Sequence, residues 1–96
     1  MSIAKTIAEQ IGNRALYMIG AKNLLAHEDG SLSFKIGRNS KSVNYVKITL
    51  TPADLYDITF SWVTKNGVKE RSREEGIYWD MLKGAIERNT GMYTSL

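Results

Sequence analysis

No cysteine occurs in the chain, and histidine and proline occur once each, as His27 and Pro52. The first absence excludes a disulfide framework and a thiolate metal site, and with them the usual design of a small secreted protein. No apolar run approaches the roughly 18 residues of a membrane span. Lys5 and Glu9 interrupt the first ten residues, which therefore lack the apolar h-region of a secretory signal. A cytoplasmic protein is expected. No Gly-rich phosphate loop is present, and no Gly-x-Ser-x-Gly turn that would expose a nucleophilic serine. A metal site or general base would have to be built on His27, with no second histidine or cysteine beside it. His27-Glu28-Asp29 reads instead as part of a turn, and Asp54 and Asp57 as turn carboxylates. The chain reads as non-enzymatic, with no catalytic residue, metal or cofactor expected.

What is present is enough for one small domain over residues 1–96, with a thin core. An apolar share of 43% is ordinary for a globular chain and argues against disorder. The net charge of +3 is small, but its placement is uneven: Lys35, Arg38, Lys41 and Lys47 lie between Gly30 and Ala53 with no acidic residue among them.

Ser2 can cap a first helix whose apolar stripe is Ile3, Ile7 and Ile11 with Ala4 and Ala8. Gly12-Asn13 interrupts it, and Asn13 can cap a second helical piece carrying Ala15, Leu16, Met18 and Ile19. Two short helices or one kinked helix fit equally. Residues 23–27 and 31–36 read as strands around Glu28-Asp29-Gly30, because Asp-Gly is a tight-hairpin signal. Leu32, Phe34 and Ile36 alternate with Ser31, Ser33 and Lys35. Val46, Ile48 and Leu50 alternate with Tyr45, Lys47 and Thr49, and Thr51-Pro52-Ala53-Asp54 makes a turn. Tyr56, Ile58, Phe60 and Trp62 share the apolar face of the next strand, so Phe60 and Trp62 are expected to anchor the sheet to the helices. Asn66-Gly67 signals a second hairpin. The return strand, residues 68–73, is nearly all charged, which suits an exposed edge that must resist pairing with other chains.

A last helix is expected over residues 76–89, with Tyr78, Met81, Leu82, Ala85 and Ile86 buried and Trp79 at the margin as a lid on the core or an exposed interface residue. Gly91 is placed to stop it in a left-handed conformation, and Tyr93 and Leu96 to pack back on the domain. The sum is an α+β fold: about five antiparallel strands, one face covered by the N-terminal and C-terminal helices and the other open to solvent.

If the apolar residues point inward, Lys35, Tyr45, Lys47 and Thr49 point outward. Lys69, Arg71 and Arg73 extend that surface from the edge strand, and Arg38 and Lys41 adjoin it on a loop. Such a face can contact phosphates or an acidic protein surface. Tyr45 is the only aromatic expected there, and single-strand binders usually show several stacking rings.

Some strings resemble a family. Gly20-Ala21-Lys22-Asn23, Leu32 to Phe34, the Ile48–Leu50, Pro52, Asp54, Tyr56 stretch, the Gly76, Tyr78, Asp80, Leu82 spacing and the closing Thr90, Gly91, Tyr93, Thr94, Leu96 are similar to short proteins of unknown function from bacteriophages, prophages and plasmids. The likeness covers nearly the whole chain and carries no catalytic residue across. It implies a mobile-element origin and an accessory protein that binds a host protein, including a defence effector it inhibits in the manner of an anti-CRISPR. The alternative is a nucleic-acid-binding module that uses the basic sheet face.

Overall fold

The computed structural model describes residues 3–37, 39 and 41–92, with side chains from Lys5 onward. The expectations for Ser2, for the side chains of Ile3 and Ala4, and for Arg38, Tyr93 and Leu96 lie outside the described residues. Helix α1, Ile3–Ile11, buries Ile7 and Ile11. It ends at Gly12, whose φ of 93° is a conformation that side chains resist. Helix α2, Asn13–Met18, follows as a separate element and buries Ala15 and Leu16. Its N-cap is Gly12, with no side-chain cap hydrogen bond, so Asn13 is the first helical residue and not the cap. Gly20 turns the chain toward the sheet, with its Cα so close to the next loop that an added Cβ would stand 3.3 Å from the Gly37 nitrogen.

Five antiparallel strands then follow in sequence order: β1 Lys22–Ala26, β2 Ser31–Lys35, β3 Tyr45–Leu50, β4 Tyr56–Thr64 and β5 Gly67–Ile77. The fold is α+β, with β1 and β5 at the two edges. The first hairpin is not the two-residue kind. The His27 and Ser31 backbones bond across it, the Gly30 N–H donates to the His27 carbonyl, and Gly30 alone takes positive φ. In the β4–β5 hairpin Thr64 faces Gly67, which places Lys65-Asn66 at the tip, one residue earlier than Asn66-Gly67 implied.

One face of the sheet carries the core. Leu32, Phe34, Val46, Ile48, Tyr56, Ile58 and Phe60 are buried against Ile7, Ile11 and Ile19 from the N-terminal helices and Leu82, Ala85 and Ile86 from the last helix. The Tyr56 hydroxyl donates to Gln10 Oε1 at 2.6 Å, tying α1 to β4, and burial pushes its phenol pKa up. Trp62 lies on this same face but beyond the helices, and 41% of it is exposed. Phe60 therefore anchors the sheet to the helices and Trp62 does not.

The end of the chain departs from expectation. Gly76 and Ile77 belong to β5, and Gly76 has φ 68°, which no helix accepts. A single 3-10 turn at Trp79–Met81 leads into helix α3, Leu82–Thr90. Tyr78 and Trp79 are each 60% exposed and Met81 is half-exposed, so none of the three is core and Trp79 is no lid. Leu82, Ala85 and Ile86 are buried as expected, and Gly91 ends the helix with φ 71° and a 2.9 Å bond to the Glu87 carbonyl. No helix among the described residues is long and apolar enough to cross a membrane.

Candidate functional site: the basic end of the sheet

Residues that face each other across two strands share a side of the sheet. On the open side, Lys22 faces Lys35, which faces Tyr45, which faces Ser61. The neighbouring row is Leu25, Ser33, Lys47, Thr59 and Arg73. Lys35, Tyr45, Lys47 and Thr49 therefore point outward together, as the alternation requires. Lys22 joins them, and the sequence signal for it was its place at the entry of β1.

The edge cations do not stay together. Thr59 faces Arg73 and Phe60 faces Ser72, but Ser61 faces Glu70, so Arg71 is an extra residue in β5. Beyond this bulge the parity of β5 is inverted. Arg73 is on the open side, whereas Lys69 faces Trp62 and lies on the helix side. Arg71 lines a cavity with Lys41 and Arg88, away from the open face. Two cations are also partly spent. Lys47 stands 3.7 Å from Asp29, and Arg73 stands 3.2 Å from Glu70. The Ser31 hydroxyl and backbone N–H both donate to Asp29 Oδ1 and hold its carboxyl below the ordinary range, with Lys47 adding to the effect.

What the cations share is an end of the sheet and not a face. In a sequential meander the loops fall alternately at the two ends. The loop between β1 and β2 carries Glu28 and Asp29, the loop between β3 and β4 carries Asp54, and Asp57 and Glu75 lie at that same end. At the opposite end stand Lys22, Lys35, Lys41, Lys65, Lys69 and Arg71, interrupted by Glu70. Arg38 falls in sequence within the loop between β2 and β3. Trp62 and the exposed Val68 also belong to this end and border a shallow groove with Thr64, Asn66, Gly67 and Lys69.

His27 takes a structural place. Its Nε2 and Ser33 Oγ are hydrogen-bonded at 2.7 Å. Ser33 is only 2% exposed, and the nearby carboxylate of Asp29 bonds Ser31 instead of orienting the imidazole. A nucleophilic triad needs the base held by a third group and the serine open to substrate; this pair has neither. Among the described residues, no group of three or more His, Asp or Glu side chains gathers in a way that would hold a metal ion.

A polar network absent from the sequence reading fastens α3 to the edge strand. The Ser72 hydroxyl donates to Asn89 Oδ1 at 2.8 Å. Asn89 Nδ2 donates to Glu74 Oε2 and to the Ala85 carbonyl. Arg88 donates to both Glu74 oxygens, through Nε at 3.2 Å and Nη2 at 2.7 Å. The Arg88 guanidinium lowers the Glu74 pKa below the ordinary carboxylate range, and Glu74 in turn raises that of Arg88. Ser72 and Glu74 are two apart on the inner side of β5, a spacing that could have shown part of this edge strand turned toward the helix.

Comparison of the chain with family models, with curated proteins and with solved structures returns no match.

Proposed function

We propose that the protein is a non-enzymatic binding protein that docks an acidic protein surface against the basic end of its sheet. The observation that carries the reading is the exposed Trp62 on the same strand pair as Lys65 and Lys69, at the end where the cations collect. An exposed aromatic ring facing Lys69 across the strand pair, at an end of the sheet rich in cations, has the make-up of a hot spot, where the ring supplies apolar area and the charges steer and orient the partner. The likeness to mobile-element proteins supports a bacterial host protein, including a defence effector, as the partner, met in the host cytoplasm. Nucleic acid is the second reading, favoured by Lys22 and Lys35 beside Tyr45 on the open face, neither lysine in an ion pair among the described residues.

Affinity capture from bacterial host lysate, with and without nuclease, tests the first reading against the second. A protein partner is retained after nuclease treatment and is lost from the double variant Trp62→Ala, Lys69→Glu. Retention by the double variant, or loss on nuclease treatment, would overturn the protein-docking reading.

A further inference from the structure

Between the loop that joins β2 to β3, the bulge of β5 and the last turn of α3 lies a half-open cavity of about 280 Å³ lined by Lys41, Val43, Arg71, Ser72, Arg88 and Asn89. We propose that this cavity binds a phosphate monoester. Its three cations come from three separate segments: the backbone of the Lys41 loop is fixed, Arg71 is set by a bulge, and the Arg88 guanidinium is clamped. The Asn39 side chain folds the loop around Lys41: Oδ1 accepts the Lys41 and Val43 backbone N–H groups at 3.1 Å, and Nδ2 donates to the Gly37 carbonyl at 3.0 Å. Arg71 is the extra residue of the bulge, and bulges re-aim side chains in this way. Arg88 is clamped by Glu74.

The charge balance selects the ligand. Glu74 neutralises Arg88, whose Nε and Nη2 it occupies. Nη1 makes neither of these bonds, and a Cβ at position 84 would stand 3.3 Å from it, so Gly84 leaves it room. No carboxylate forms an ion pair with Lys41 or Arg71 among the described residues. The cavity thus holds an excess of two positive charges, matching the near-dianion that a phosphate monoester presents at neutral pH. Arg and Lys donors are the usual means of holding such a group. Ser72 and Asn89 bond each other and shape the wall without competing for the anion, and the buried Val43 supplies an apolar floor. The half-open form fits a terminal phosphate whose remainder stays outside, either a free mononucleotide or the 5′-phosphate end of a strand.

The cavity shares the basic end of the sheet with the docking surface but none of the residues around Trp62, and one titration series separates the two. Amide and side-chain NMR shifts are followed against inorganic phosphate, adenosine monophosphate, and one short oligonucleotide carrying a 5′-phosphate or a 5′-hydroxyl, at constant ionic strength. Saturable shifts at Lys41, Arg71 and Arg88 are expected with millimolar phosphate and with the mononucleotide. Affinity should fall as pH drops through about 6, where the monoester takes up a proton. Arg71→Gln and Lys41→Gln should each weaken binding by about tenfold or more, as loss of a charge-assisted bond does, at unchanged melting temperature. Trp62→Ala should leave binding intact. Tighter binding of the 5′-phosphorylated strand than of the mononucleotide would assign the same chemistry to a nucleic-acid end. No saturable shift, or affinity untouched by Arg71→Gln, would overturn the proposal. Equal binding of the two oligonucleotides, beside saturable shifts with adenosine monophosphate, would assign the site to free monoesters.

Discussion

The β2–β3 pair and the β4–β5 pair are both antiparallel hairpins, yet they treat the alternation of their sequences differently. From Ser31 facing Thr49 to Lys35 facing Tyr45 the register is unbroken, so every second residue keeps its side and the apolar set Leu32, Phe34, Val46 and Ile48 lands whole on the core. Between β4 and β5 the register slips twice, between Tyr56 and Ile58 and between Phe60 and Ser61. One inserted residue moves everything beyond it to the other side. Lys69 and Arg73, four apart and therefore on one side of an unbroken strand, end on opposite sides. The pair that is buried follows its pattern, and the pair that ends at a solvated edge does not.

The largest expected effect sharpens that contrast inside one strand. Phe60 and Trp62 share a side of β4, but Phe60 is fully buried and Trp62 is not. Phe60→Ala should cost roughly 3–5 kcal/mol, the scale for a buried phenylalanine, and in so small a domain that approaches the whole stability. Trp62→Ala should cost much less, because the ring already meets water. Thermal or urea unfolding of both variants checks the difference. Equal losses would show that Trp62 packs as tightly as Phe60 and would remove it as a docking residue.

Legibility in the sequence followed the same divide. The strands whose apolar residues alternate over a full core row, Leu32 with Phe34 and Ile58 with Phe60, could be placed and faced from the sequence. Gly12 and Gly91 were legible as breaks because each sits where a helical pattern stops. The bulge at Arg71 was not, because residues 68–75 are almost all polar and carry no period that an insertion would disturb. For the same reason nothing in the pattern marked Glu74 as the anchor of α3. Tyr78 and Met81 fit a helical stripe on spacing alone, but the positive φ of Gly76 extends the strand and delays the helix to Leu82. The candidate site was legible only in its members. That the cations gather at one end depends on strand order, which decides that acidic Glu28-Asp29 and Asp54 face away from Lys41 and Lys65.

An intermediate effect tests whether the edge pair is held by polar contacts in place of apolar ones. Asn89→Ala removes the partner of Ser72 and one of the partners of Glu74. These groups are partly buried, and the change should cost about 0.5–1.5 kcal/mol, the net worth of a typical hydrogen bond, with loss concentrated where α3 meets β5. Hydrogen exchange localises it: faster exchange in α3 and β5 with β2 and β3 unchanged is the expected outcome, and uniform acceleration would show that the network is not a local fastening.

The same network has a pH signature. The folded protein lowers the Glu74 pKa through Arg88, so the glutamate is more easily ionised when folded than when unfolded. Its contribution is therefore fully present above the unfolded value of about 4.3 and is lost as pH falls through the lower, folded value. Melting temperature should decline below about pH 4.3, and Glu74→Gln should flatten that decline without abolishing it, because the Asp29 pKa is lowered as well. An acid limb unchanged by Glu74→Gln would detach stability from this ion pair.

The smallest expected effect has the opposite sign and lies at the other edge of the sheet. Lys22 and Lys35 face each other directly across β1 and β2, and like charges opposite one another oppose strand pairing. Neither is in an ion pair among the described residues. Lys22→Glu turns the repulsion into attraction and should stabilise the protein by roughly 0.2–1 kcal/mol, a gain that shrinks at high salt because both groups meet solvent. Surface cations contribute little to folding, so the docking reading can be tested at this pair without loss of the fold. The two measurements then separate fold from function: Lys22→Glu should raise the melting temperature at low salt while weakening capture of an acidic partner. A variant that is more stable and binds as before would place the contact surface at Trp62 and Lys69 alone, and one of unchanged stability would show that the β1 bulge at Asn23 and Leu24 keeps the two ammonium groups from feeling each other.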